Sequence, residues 1–156
     1  MNEEEQVEYF EEDTKKGRYL TFYIGIECYG IWIEYITEII GIVEYTEVPD
    51  VPNYVKGIIN LRGRIIPIID MRLRFHKEFV DYNEQTCIVI IDYLEDNVGL
   101  IVDKVSEVVE ILDEDILAQP VLETGSSNQF IKSIGKVGEE VKLLLDCQKL
   151  LSENEF

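Results

Sequence analysis

The sequence predicts an all-β protein built from two small barrels that arose by internal duplication. Three observations carry this. Isoleucine, valine, leucine and tyrosine dominate the body of the chain while alanine is nearly absent there, a balance that favours strands over helices. The apolar runs are short, β-branched and punctuated by Gly, Asn and Asp. The second half of the chain also repeats the pattern of the first.

In the repeat, GIWIEYITEII (Gly30–Ile40) falls on GLIVDKVSEVV (Gly99–Val109), and Tyr19–Ile24 on Ile88–Tyr93, at an offset of 69. Further on, YVKGIINLRGRIIPIIDMRLRF (Tyr54–Phe75) falls on FIKSIGKVGEEVKLLLDCQKLL (Phe130–Leu151) at an offset of 76. The change of offset lies in the irregular stretch Asp113–Gln129, where an insertion is tolerated. Each unit of about five short strands is too small to bury its apolar face alone, so the two must pack together. Short antiparallel strands with tight turns fit barrels better than an open sheet.

Residues 1–16 form an acidic tail in which Glu3-Glu4-Glu5 and Glu11-Glu12-Asp13 repel one another, and disorder or a weak helix is expected. An interaction arm is the functional alternative. Residues 17–151 form the domain, with repeats over about 19–75 and 86–151, and residues 152–156 form a C-terminal tail.

Tyr19–Ile26 alternates as a strand and Tyr29–Ile33 gives a second. Glu34–Ile40 shifts to helical spacing and predicts a helical turn or corner ended by Gly41. Ile42–Val48 reads as a strand, and Pro52 into Lys56 as the start of a short helix. Asn53–Asp70 then holds two apolar runs, Gly57–Leu61 and Ile65–Asp70, around Arg62-Gly63-Arg64. Gly63 supplies the positive φ of a tight turn, so a hairpin lifts both arginines to its tip. Pro67 cannot donate to a ladder and is expected at a sheet edge or bulge. Asp70–Phe75 is a basic corner and His76–Gln85 a polar hinge. Thr86–Tyr93, Val98–Val102 and Val141–Leu145 read as strands, Val105–Leu112 as another apolar run, and Asp146–Leu151 as a terminal turn.

The formal net charge is −18, which disfavours nucleic acid and anionic membrane surfaces. No leader-like apolar segment follows a basic start, and no run of about 18 apolar residues suits a membrane span. Cys28, Cys87 and Cys147 are an odd number, far apart, without metal-ligand spacing, and read as free thiols of a reducing compartment. The single histidine, His76, lies in polar sequence and reads as solvent-exposed. No phosphate-cradling loop, calcium loop or nucleophile–base–orienter set is present in the motifs. No cofactor and no enzymatic activity are expected. A small-barrel ligand binder or enzyme remains the alternative, and would need a deep pocket lined by polar groups.

The repeat also isolates one asymmetry. Arg62, Gly63 and Arg64 fall on Gly138, Glu139 and Glu140. A feature the fold requires would recur in both copies, so the arginine tip is the better candidate for binding.

These stretches, YLTFYIGIECYGIWIEYITEIIG (Tyr19–Gly41), VKGIINLRGRIIPIIDMR (Val55–Arg72), GLIVDKVSEV (Gly99–Val108) and LLDCQKLL (Leu144–Leu151), resemble the CheW family of chemotaxis adaptors over nearly all of 19–151. The resemblance implies two SH3-like five-stranded barrels around a common core and no catalysis. It implies a cytoplasmic scaffold that ties a CheA-type histidine kinase, through its regulatory domain, to the cytoplasmic tips of chemoreceptors. It assigns partner binding to Glu38, Ile39 and Arg62, with Lys56, Gly57 and Gly63 on the same motif. Glu38 could instead pair with Arg62 within the fold.

Overall fold

The computed structural model describes residues 17–118 and 129–151. The acidic tail, most of the irregular stretch and residues 152–156 lie outside the described residues. The chain runs β1 (Arg18–Ile24), β2 (Glu27–Trp32), a 3₁₀ turn at Ile33–Tyr35, β3 (Ile36–Gly41), β4 (Val55–Leu61), β5 (Arg64–Asp70) and helix α1 (Met71–Arg74). It continues with β6 (Cys87–Tyr93), β7 (Asp96–Val102), β8 (Lys104–Glu110), a 3₁₀ turn at Asp113–Asp115, β9 (Ile116–Ala118), β10 (Ile131–Val137), β11 (Glu140–Leu145) and helix α2 (Cys147–Leu151).

The strands form a six-stranded sheet in the order β8-β1-β2-β11-β10-β9 and a five-stranded sheet in the order β3-β6-β7-β5-β4. The fold is mainly β, as expected, with one strand more in the first sheet than the pattern suggested. Short β9 pairs with β10 through Leu117 and Ile134.

The sheets do not coincide with the repeats. The first repeat gives β1 and β2 to one sheet and β3–β5 to the other, and the second repeat does the reverse. Replacing each strand by its repeat counterpart turns β8-β1-β2-β11-β10 into β3-β6-β7-β5-β4. The two sheets are thus pseudo-symmetric, and each is completed by strands from both repeats. Parallel pairs join the repeats: β11 lies on β2 with Leu143 opposite Tyr29, and β5 on β7 with Ile68 opposite Gly99.

The largest core cluster lies between the sheets, where Leu20, Phe22, Ile24 and Tyr29 meet Ile69, Val89, Ile91 and Leu100. A second cluster, Ile59, Ile66, Ile68, Ile88, Ile90 and Ile101, fills the five-stranded sheet. A third, Val109, Ile111 and Leu144, fills the six-stranded one. Strand β6 therefore buries both faces, which is why Ile88–Ile91 is apolar without interruption.

Several local readings are corrected. Residues Glu34–Ile40 do not form one helical element. The chain turns once at Ile33–Tyr35 and then extends as β3, where edge pairing with β6 outweighs the helical spacing. Ile42–Val48 is not a strand, and only Thr46 bridges to Ile58. Pro52 into Lys56 starts no helix, because Val55 already pairs with Ile69. Pro67 stands in an internal strand, between β4 and β7. It opposes Ile58, whose N–H and C=O both bond to Thr46 at 2.9 Å, and pairing to β7 begins only at Ile68. No ladder bond is asked of its nitrogen.

Helix α1 is a single capped turn. The Asp70 carboxylate accepts from the Leu73 N–H at 3.2 Å, and Asp146 caps α2 in the same way from Lys149 at 3.1 Å. Asp70 N–H donates to the Tyr54 carbonyl and Asp146 N–H to that of Phe130, both at 2.8 Å, so the repeats agree bond for bond here. The cysteines are free, with Cys28 and Cys147 buried and Cys87 half-buried. His76 is exposed.

Candidate functional site

Strands β4 and β5 meet in a two-residue hairpin, with Leu61 opposite Arg64. Its central residues, Arg62 and Gly63, have φ of 53° and 86°. Both are left-handed, the geometry that matches the twist of the strands. Glycine adopts it freely, but arginine is held there against its preference. The Asn60 side chain supports the turn, its Oδ1 accepting from Gly63 N–H at 2.8 Å. The sequence predicted a positive φ at Gly63 and missed the one at Arg62. The signal was available, because the aligned residue in the second repeat is Gly138, also left-handed at φ 62°.

The turn aims Arg62 at Glu38. Arg62 Nη1 donates to Glu38 Oε1 at 3.1 Å, and Nη2 donates to Oε2. Strands β3 and β4 are the two outer strands of the five-stranded sheet. The bidentate pair therefore ties the outermost strands together, beside the main-chain bridge from Thr46 to Ile58. The Arg62 hydrogen bond, aided by its charge, holds the Glu38 carboxyl below the ordinary range. The Arg62 side chain stays 68% exposed, so one face of the guanidinium is open to a further acceptor.

Of the predicted residues, the structure brings Glu38, Arg62 and Gly63 together. Ile39 follows Glu38 on β3 and points to the opposite face, with 42% of its surface exposed. Lys56 and Gly57 lie at the other end of β4, roughly 20 Å away by strand rise. Lys56 Nζ sits 4.7 Å from the centroid of the Phe79 ring. Gly57 is required by a close approach, since a Cβ there would lie 2.3 Å from the Thr46 carbonyl oxygen. Sequence reasoning missed Ile65, which is 60% exposed beside Arg64, and the cover that Phe79 gives Lys56. Alternation along β5 could have revealed the first; the second needed the tertiary fold.

A cleft of about 510 Å³ contains Arg72, whose Nε donates to Asp103 at 2.9 Å, and Asp70, which accepts from the Tyr82 hydroxyl at 2.7 Å. Among the described residues, no group of His, Cys, Asp and Glu could hold a metal ion. No described helix is long and apolar enough to cross a membrane.

Residues 18–155 match the model of the CheW-like domain. The chain is 36% identical over 144 residues to the chemotaxis protein CheW of Klebsiella aerogenes, covering 92% of this chain and 87% of that one. It is 33% identical to the chemotaxis protein CheW of Treponema pallidum, covering 88% of this chain and 83% of that one. The crystal structure of the scaffolding protein CheW from Thermoanaerobacter tengcongensis superposes with a TM-score of 0.82 at 31% identity, covering 90% of this chain and 95% of that one. The paired SH3-like sheets, the hairpin and these similarities lead to one conclusion: the chain belongs to the CheW-like family of chemotaxis adaptors.

Proposed function

We propose that this protein is a non-catalytic cytoplasmic adaptor that couples the cytoplasmic tips of chemoreceptors to the regulatory domain of a CheA-type histidine kinase. The observation that carries the reading is Arg62. It occupies a left-handed position where the other repeat has glycine, and its guanidinium is both paired and exposed. Asp50, His76, Leu94 and Glu95 also take positive φ, so what distinguishes Arg62 is the break in the repeat together with a guanidinium that is paired and still open to solvent. Glu38, Arg62 and Gly63 make the polar part of the partner surface. Ile39 adds an apolar anchor on the opposite face of β3, and Lys56 and Gly57 shape the far end of β4. Partner interfaces of this kind combine an apolar centre with a polar rim and a few arginine contacts.

Binding of the cognate kinase regulatory domain, measured by calorimetry, tests this. A complex in the micromolar range is expected for the wild type, and Arg62→Gly should weaken it at least tenfold, the scale of a lost interface arginine. No complex at tens of micromolar would overturn the reading.

A further inference from the structure

A lysine stands buried in the six-stranded sheet where the other repeat has an aliphatic side chain. The side chain of Lys142, on β11, is 3% exposed. The offset of 76 carries it onto Ile66, which is 1% exposed in the five-stranded sheet. Isoleucine thus satisfies the fold at this place, and a buried ammonium gives up solvation that isoleucine never had. Lys142 Nζ donates to Glu140 Oε2 at 2.8 Å, and the Glu140 side chain reaches solvent.

The strand beside it brings a thiol. β11 lies parallel on β2 with Leu143 opposite Tyr29, so one step back along both strands Lys142 lies next to Cys28, on the same face. Cys28 is buried, and the offset of 69 carries it onto Asn97, so neither member of the pair recurs in the other repeat. The hydrogen bond to Glu140 first, and then the Cys28 sulfur, raise the Lys142 ammonium above its ordinary pKa against the effect of burial. Both residues line a cleft of about 380 Å³, with Tyr23, Ile26, Glu27 and Glu140 among its other walls. A small molecule in that cleft meets sulfur and ammonium together. The other two thiols have different neighbours. Burial and the Asp146 carboxylate push Cys147 up to about 12, and Cys87 donates to the Gln85 carbonyl at 3.4 Å.

We propose that Cys28 is a site of reversible oxidation by hydrogen peroxide, with Lys142 as proton donor to the departing oxygen. The thiol proton passes to water. The sulfur gives an electron pair to one peroxide oxygen, so an S–O bond forms as the O–O bond breaks. The second oxygen takes a proton from Lys142 Nζ and leaves as water. Lys142 then regains a proton from solvent through the mouth of the cleft. One thiol and one hydrogen peroxide thus give one sulfenic acid and one water, the sulfur losing the two electrons that the peroxide gains. The restored ammonium faces the new oxygen as a hydrogen-bond donor, and an added thiol reduces the sulfenic acid back to Cys28.

The test exposes the reduced full-length protein to hydrogen peroxide, quenches it, unfolds it and alkylates the remaining thiols. Mass spectrometry of the three cysteine peptides then gives the oxidation rate of each. Exposure alone would rank Cys87, the half-buried thiol, first. The proposal expects Cys28 to be oxidised fastest, as a one-oxygen adduct that dithiothreitol reverses. Lys142→Ile installs the residue of the other repeat and should slow Cys28 at least about tenfold, the scale of a lost proton donor, while Cys87 stays unchanged. Lys142→Met keeps an unbranched side chain and should do the same. The ranking of the three thiols is read in the wild type and depends on no variant. The proposal is overturned if Cys87 or Cys147 is oxidised as fast as Cys28. It is overturned equally if a folded Lys142→Ile or Lys142→Met protein oxidises Cys28 at the wild-type rate.

Discussion

Tyr54 and Phe130 hold equivalent places in the two repeats, and the guanidinium of Arg74 lies over both rings, 4.5 and 4.4 Å from their centroids. Arg74 is 2% exposed, and its Nε and Nη2 donate to the carbonyl of Leu150, the residue that matches it in the other repeat. An arginine thus sits where the two repeats meet, holding both.

Removing that arginine should be costly. Arg74→Ala leaves a cavity between two aromatic rings and an unpaired carbonyl, and should lower the unfolding free energy by about 3 kcal/mol in urea titration. A loss below about 1 kcal/mol would show that the rings close on each other without it.

Two glycines on the five-stranded sheet should respond differently to alanine. A Cβ on Gly57 would meet the Thr46 carbonyl oxygen at 2.3 Å, and one on Gly41 meets nothing within 4 Å. Gly57→Ala should cost about 2–3 kcal/mol by breaking the Thr46–Ile58 bridge, while Gly41→Ala stays within about 0.5 kcal/mol. Paired melting curves would check both.

Arg62→Gly separates folding from binding. Glycine accepts the left-handed backbone, as Gly138 does in the second repeat, so the melting temperature should move by less than about 3 °C. Loss of the kinase complex at an unchanged melting point assigns Arg62 to the partner surface. A large fall in melting temperature would make the Arg62–Glu38 pair a structural clasp.

Alkali should destabilise the fold through buried acids. Burial, with the nearby Asp146 carboxylate, pushes the Cys147 thiol from 9.0 up to about 12. Burial first, and then hydrogen bonds to carboxylates, raise the Tyr29 and Tyr82 phenols. Between pH 9 and 12 the unfolded chain releases the Cys147 proton while the folded chain keeps it. Stability is therefore complete below the unfolded value and falls as pH rises, by at most about 1.4 kcal/mol per unit for this one group. Urea midpoints at pH 8 and 10.5 would show the fall, with a shallower slope in Cys147→Ala.

The sequence made the strand class, the duplication and the Arg62 hairpin legible, because each rests on local spacing. It did not make the pairing partners legible. Nothing in Leu143 or Tyr29 announces that they lie side by side, since that register is set by the whole core. The Glu34–Ile40 spacing misled for the same reason: the half-buried faces of β3 follow from its edge position, not from a helical period. The sequence left open whether Glu38 faces a partner or pairs with Arg62; the pair is settled only by the meeting of the sheet's two outer strands.

The interleaving of the repeats has a consequence for how the molecule is made. Strands β1 and β2 are made before β3–β7, yet their sheet neighbours β8 and β11 come from the second repeat, after β7. The outer edge of β1 stays unpaired until β8 (Lys104–Glu110) is made and that of β2 until β11 (Glu140–Leu145), while the β3–β7 sheet can assemble in between. Nascent chains halted before β8 should hold the five-stranded sheet and leave β1 and β2 open to proteases and chaperones.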